Sequence, residues 1–238
     1  MLAWRVLSCP FTAPLQMYSL YHCIDARSFR PLWTLEELQL PYALHMLPFP
    51  PRALQKSYRE LNPLGTVPLL VDGENRMTES AAICQYLAAR HSPRSLNVEP
   101  DEADFASYLN CLHYGEATLT FPQTLVLRYR YFEPQASRQD KVAADYEVWF
   151  LARLKYIEHR LVNRVWLCAD RFTAADISVG YALLLASHLG LQEHFGSHTL
   201  DYWVRLQNRA GFQRAKMAQN QFAEQQGVPL TPAPLVGR

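Results

Sequence analysis

The chain of 238 residues is 49% hydrophobic and 19% charged, with a net charge of +1. This describes one large or two modest globular domains, excludes a disordered chain, and leaves no strong field to attract nucleic acid or an anionic membrane. No apolar run approaches the ~20 residues of a spanning helix, so no membrane partner is expected either.

Residues 1–16 carry Pro10 and Pro14 and have too short an apolar core for a signal peptide, so they are expected to be a disordered tail or the product of a start codon called too early. The fold reads from Met17. Tyr18 to Cys23 alternates as a short strand, with Tyr21 and Cys23 on one face. After the loop Ile24–Arg27, Ser28 is a candidate N-cap and Pro31 falls in the first helical turn, where it is tolerated. Leu32, Trp33, Leu35, Glu36 and Leu38 continue an amphipathic helix to about Leu40, and Pro41 stops it. Tyr42 to Leu47 reads as the next strand of a βαβ unit. A proline-rich loop, Pro48 to Pro51, leads to a short helix over Ala53 to Leu61.

Asn62-Pro63-Leu64-Gly65-Thr66-Val67-Pro68 is a turn ending in a proline. Leu69 to Val71 is a strand, Asp72-Gly73 a two-residue hairpin turn, and Asn75 to Thr78 a second strand. Glu79-Ser80 then opens a helix. The chemistry suggested is capture of a small peptide-like ligand. A cis Val67-Pro68 bond would turn the Val67 N–H and C=O outward, to pair with a ligand backbone as an added strand does. The Ser80 hydroxyl and the free N–H groups at the helix start suit a carboxylate. The ββα unit completes a four-stranded, thioredoxin-like sheet.

Residues 91–100, with Pro93 and Pro100, read as a linker, and the pattern beyond is helical. A long helix over Asp101 to about Arg130 is expected to kink near Pro122, and a second runs from Arg138 to about Leu161. Thr173 caps the following helix and Asp176 can bond back to its N–H as a capping box, with Phe172 packing on Ile177 as a staple. Ile177 to His188 is almost wholly apolar, as a central core helix should be. Tyr202-Trp203 to Met217 closes the helical part, and residues 226–238 read as a loose tail. The domains expected are therefore 17–91 and 101–225. Five cysteines, Cys9, Cys23, Cys84, Cys111 and Cys168, form no CxxC and no zinc spacing, so no metal is expected and a reducing cytoplasm is the natural compartment.

Three stretches carry a family resemblance. Asn62 to Leu70 with Glu79-Ser80 resembles the glutathione-binding half of the cytosolic glutathione S-transferases. Ile24 to Leu38 is similar to the first-helix signature of bacterial and fungal members, Ser-Arg-x-x-Arg-x-Leu-Trp-x-Leu-Glu-Glu-Leu. Phe172 to Ile177 resembles the capping box in the buried helix of the family's second domain. The resemblance implies a thioredoxin-like domain followed by an all-α domain, glutathione as co-substrate, attack of its thiol on a small hydrophobic electrophile, and a homodimer. It also implies roles. Glu79 and Ser80 would hold the γ-glutamyl end, Val67 and Pro68 the cysteinyl backbone, and Arg52 or Lys56 the glycyl carboxylate. Tyr114, Glu116 and Phe121 would lie at the electrophile site.

The thiol-activating residue stays open. A free thiol titrates near ~8.5, so a transferase needs a donor beside the sulfur. Aligning Arg27 and Arg30 with the signature puts Ala26 where the family usually has serine. Ser28 offers a hydroxyl at the helix start but is equally placed to cap it. Cys23 could form a mixed disulfide or simply pack. Tyr21 faces the core, and backbone N–H groups of the loop are a further possibility. A non-catalytic glutathione-binding or ligand-carrying module and a Cys23-dependent thiol transferase are the competing functions.

Overall fold

The computed structural model describes residues 17–92 and 94–238. The expectation for residues 1–16 therefore lies outside the described residues. Four strands form one sheet in the order β2-β1-β3-β4. β1 (Tyr18–His22) runs parallel to β2 (Tyr42–Met46) and antiparallel to β3 (Leu69–Asp72), and β3 pairs antiparallel with β4 (Asn75–Met77). Helix α1 (Phe29–Leu38) makes the crossover between the parallel strands. Leu20 sits between Leu44 and Leu70 in register, so three leucines make one buried row across the sheet. The opposite face is closed by Tyr58 of α3 (Tyr58–Leu61), against Tyr21, Leu47 and Leu69.

Several boundaries differ from the sequence reading for local reasons. Gln39 adopts a left-handed conformation and its N–H bonds back to Glu36, so α1 ends at Leu38. The single helix expected over 53–61 is two short helices, α2 (Pro51–Leu54) and α3, broken at Gln55–Ser57. Asp72 pairs with Asn75, so the hairpin turn consists of Gly73-Glu74, one residue later than expected; Gly73 supplies the positive φ of 59°. The Val67–Pro68 bond is cis, as the sequence reading expects.

Helix α4 (Ser80–His91) packs on α1 and hands the chain to the helical half. α5 (Phe105–His113) and α6 (Phe121–Leu127) are joined by a wide π turn, Tyr114–Thr120, in place of a proline kink alone. Pro122 sits in the first turn of α6, directly after the π turn. α7 (Asp140–Leu161) returns antiparallel to this segment, and α8 (Ala174–His188) runs through the centre, buried from Ala174 to Ala186. α9 (Ser197–Gln207) and α10 (Ala210–Gln226) close the bundle, with α10 against α1 and β2.

The Thr173–Asp176 capping box is present, and Asp176 also accepts from Leu167 N–H (3.0 Å) and Tyr202 OH (2.8 Å). Phe172 packs against Trp33 and Trp166 with the Arg209 guanidinium over its ring, in place of a described staple on Ile177. The C-terminal segment is not a loose tail. Ala233 is 3% exposed and its N–H donates to Ile24 O at 2.8 Å, beside Cys23, Ala26 and Leu47. Prolines at 229, 232 and 234 removed the periodicity that would have signalled packing, but an extended strap needs no periodicity to bury small side chains.

The π turn lets α5–α6 approach α8 closely. A Cβ on Gly115 would lie 2.5 Å from the carbonyl carbon and hydroxyl of Ser178. Gly115→Ala should therefore destabilise the fold by about 1–3 kcal/mol through overpacking. A thermal melt should read this as a fall of several degrees, about 2–4 °C per kcal/mol at this size. An unchanged melt would mean that the two helices separate at no cost.

Candidate functional site

A cleft opens between the sheet half and the helical half. Ala26 and Arg27 from the β1–α1 turn, Arg52 from α2 and Gly65 to Val67 from the proline turn form one wall. Thr124 and Leu127 of α6, Phe132, and Tyr181 and Leu185 of α8 form the other; Ala233 and Pro234 of the C-terminal strap close one end. The lining is mostly apolar with a few converging polar groups, the usual make-up of a small-molecule site.

The β1–α1 turn is held from below. Asp25 has a positive φ of 51°, tolerable for this short polar residue. Its buried carboxylate accepts from Lys216 Nζ (2.7 Å), Gln219 Nε2 (2.7 Å) and His188 Nε2 (3.0 Å). Burial alone would raise the Asp25 carboxyl, but the bonds from His188, Lys216 and Gln219 outweigh it and hold the group below the carboxylate range. His22 Nε2 donates to Gln219 Oε1 at 2.9 Å, and burial pushes this imidazole down to about 4.

Beside the cleft two arginines share one carboxylate. Glu116, from the π turn, accepts from Arg27 Nε at 2.5 Å and from Arg30 Nη1. Arg30 is completely buried. It donates to Ser178 O (3.0 Å), Gly115 O (3.1 Å), Thr120 Oγ1 (2.8 Å) and Ser80 Oγ (3.2 Å), with its guanidinium over the Tyr181 ring. Burial alone would raise the Glu116 carboxyl, but the charges of Arg30 and Arg27 prevail and lower it. The cluster joins α1, α4, the π turn and α8.

The residues singled out by sequence fall into two groups. Arg52 and Val67 line the cleft; Pro68 is buried behind Val67. Glu79 is exposed as the N-cap of α4, and Ser80 is 3% exposed with its oxygen accepting from Arg30; neither lines the cleft. Lys56 is exposed and does not line the cleft.

Other expectations are corrected. Ser28 makes no cap: it is helical in φ and ψ, and its hydroxyl turns back to accept from Cys23 N–H (3.2 Å) and donate to Cys23 O (3.5 Å). Fully buried in that exchange, Ser28 does not line the cleft. Cys23 is 1% exposed, and burial pushes its thiol up to about 12. Such a thiol is not a ready nucleophile. Tyr21 stacks on His45 and leans on Tyr58. Tyr114 donates to Arg153 O (2.9 Å) with its ring beside Tyr156, and Phe121 is 55% exposed; neither lines the cleft. The π turn inserts an extra residue and rotates the following helix, bringing Thr124 and Leu127 to the cleft instead. Glu116 lies where the halves meet, but as the partner of two arginines.

Sequence reading missed Tyr181, Leu185, Ala233 and Pro234. Tyr181 left a faint signal, a phenol within an otherwise apolar run, and its hydroxyl donates to Asp25 O at 3.3 Å. The strap left none.

A thioredoxin-like sheet followed by an all-helical domain, with a cleft between them, defines the glutathione S-transferase fold. Residues 26–90 match the family model for the glutathione S-transferase N-terminal domain. Glutathione S-transferase hmp2 of Hypomyces subiculosus is 32% identical over 195 residues, spanning 74% of this chain and 91% of that protein. Glutathione S-transferase 3 of Schizosaccharomyces pombe is 29% identical over 182 residues, 71% of this chain and 74% of that one. The crystal structure of glutathione transferase URE2P8 from Phanerochaete chrysosporium with oxidized glutathione superposes with a TM-score of 0.77 at 20% identity, covering 88% of this chain and 97% of that one. The chain belongs to the glutathione S-transferase family, and this membership supports a glutathione-dependent transferase function in general. Among the described residues no group of side chains could hold a metal ion, and no helix is long and apolar enough to cross a membrane.

Proposed function

We propose that the protein is a glutathione transferase of bacterial and fungal type, binding glutathione along the sheet-side wall of the cleft and presenting its thiol to a small hydrophobic electrophile on the helical side. The observation that carries this reading is the shared cleft: Val67 and Arg52 line it opposite the apolar Leu127, Tyr181 and Leu185. Val67 pairs with the cysteinyl backbone, Glu79 and Ser80 take the γ-glutamyl end, and Arg52 meets the glycyl carboxylate. Residues 17–91 act as the glutathione-binding domain and 101–225 as the helical domain, in a cytoplasmic two-fold homodimer. Light scattering at micromolar concentration should give twice the chain mass; a monomer mass would overturn the dimer.

Calorimetry tests the binding site. Ser80→Ala removes one charge-assisted bond to the ligand and should weaken glutathione binding by about 1.5–3 kcal/mol. Unchanged affinity in that variant would remove Ser80 from the site. A second reading, a non-catalytic ligand-carrying module, draws support from Ala26 at the serine position and from the orientation of Ser28. Turnover of an aryl halide with glutathione separates the two, since a carrier binds glutathione and forms no conjugate.

A further inference from the structure

The Ser28 hydroxyl and the Cys23 thiol, two of the groups expected to activate the sulfur, are otherwise engaged. Ser28 exchanges both its hydrogen-bonding functions with the Cys23 backbone, and Cys23 is buried against Pro48 O. The hydroxyls of Tyr58, Tyr181 and Thr124 donate to the carbonyls of Thr66, Asp25 and Phe121. Ala26, which lines the cleft at the serine position, carries no side-chain donor. Next to it stands a cation.

The Arg27 guanidinium lines the same cleft as Ala26 and Val67 and is 32% exposed. Its Nε is bound to Glu116, so the fork is fixed in direction, while its two Nη groups have no hydrogen bond among the described residues. Glu116 is anchored in turn by the buried Arg30, whose other acceptors come from the π turn, α4 and α8. The charged and titratable groups facing Arg27 are Glu116 from the π turn, Tyr181 from α8 and Glu79 at the start of α4. One carboxylate shared between two guanidiniums leaves the cluster net positive, and Arg27 is its cleft-lining member.

We propose that Arg27 is the catalytic residue that stabilises the glutathione thiolate, its guanidinium aimed by Glu116 and donating through Nη to the sulfur. This rests on the reading of the cleft as a glutathione site. The thiol loses its proton to solvent, the thiolate is held by the guanidinium, and the same sulfur attacks the electrophile as its leaving group departs. No oxidant or metal enters the balance. Arg52 is the other cation on the cleft, but it stands on α2 beside Gly65 rather than beside Ala26.

Two ligands and three proteins test this. The thiolate absorbance of bound glutathione is titrated in wild type, Arg27→Met and Arg27→Lys, and the affinity for S-methylglutathione, which has no thiol, is measured in each. A cation within hydrogen-bond reach lowers a thiol pKa by about 1–3 units. Bound glutathione should therefore titrate well below the free thiol in wild type and at least about one unit higher in Arg27→Met, with Arg27→Lys retaining much of the depression. The affinity for S-methylglutathione should stay within about twofold, because a ligand without an ionising sulfur gains little from the thiolate donor. An unshifted thiol pKa in Arg27→Met, with S-methylglutathione affinity lost as fully as glutathione affinity, would assign Arg27 to a ligand carboxylate and overturn the proposal. Arg27→Lys preserves the charge beside Glu116 and keeps the comparison available where Arg27→Met folds poorly; a lysine variant with a fully raised pKa would equally count against it. A wild-type protein that binds neither ligand fails earlier, at the reading of the cleft.

Discussion

Glu116→Gln should cost the fold about 3–5 kcal/mol, the loss expected when one partner is taken from a buried ion pair. The substitution barely changes side-chain volume, so it isolates charge. Arg30 is wholly buried and keeps its neutral acceptors at Gly115, Thr120, Ser178 and Ser80, but it loses the one anion paired with it. Those acceptors come from three elements, so the penalty should also loosen the junction of α1, α4 and α8. Denaturant titration at pH 7 reads the loss, and a change under about 1 kcal/mol would mean that water reaches Arg30 after all. Arg30→Met combined with Glu116→Gln should recover part of it, because removing both members of a buried pair is far less harmful than removing one. The ion pair also has an acid limb. Arg30 and Arg27 lower the Glu116 carboxyl below its ordinary value, so its contribution is complete at neutral pH. The contribution is lost as pH falls below the ordinary glutamate range near ~4.3 and through the lowered value.

Stability should fall by about 3 kcal/mol between pH 7 and pH 4 through His22 alone. Burial takes this imidazole down to about 4, partly opposed by its bond to Gln219. In the unfolded chain it titrates near ~6.5. Below that value the unfolded state binds a proton that the folded state refuses. The folded state therefore loses stability progressively until pH passes its own pKa, where the loss levels off. His22→Gln should keep a donor toward Gln219 Oε1 and abolish this limb, whatever it costs at pH 7. Unfolding free energies of both proteins across pH 4–7 decide it; parallel curves would show that some other group carries the acid loss. Because His22 and Asp25 share Gln219, this limb should accompany a loosening of the turn that presents Ala26 and Arg27.

The legible part of this protein was local. Alternation in Tyr18–Cys23, the prolines at 41 and 68, the glycine after Asp72 and the Thr173–Asp176 spacing each act within a few residues, and each produced its element to within a turn. Glu79 and Ser80 mark the start of α4 for the same reason, since a helix start announces itself in sequence. The site's other wall was not legible. Ser28 looked like a donor and Tyr114 like part of the electrophile wall because a side chain's chemistry is visible in sequence while its direction is not. The direction of Ser28 follows from the Cys23 backbone folding under it, and that of Tyr114 from a π turn that packing against Gly115 and Ser178 imposes. Arg27 and Arg30 stood in a recognised motif, yet their sharing of Glu116 spans 86 residues or more and exists only once α1 meets the helical half. Short-range dihedral and capping preferences belong to the sequence itself; the paired charges, the buried imidazole and the strap over the cleft arise from desolvation at contacts distant in the chain, and only the tertiary structure could place them.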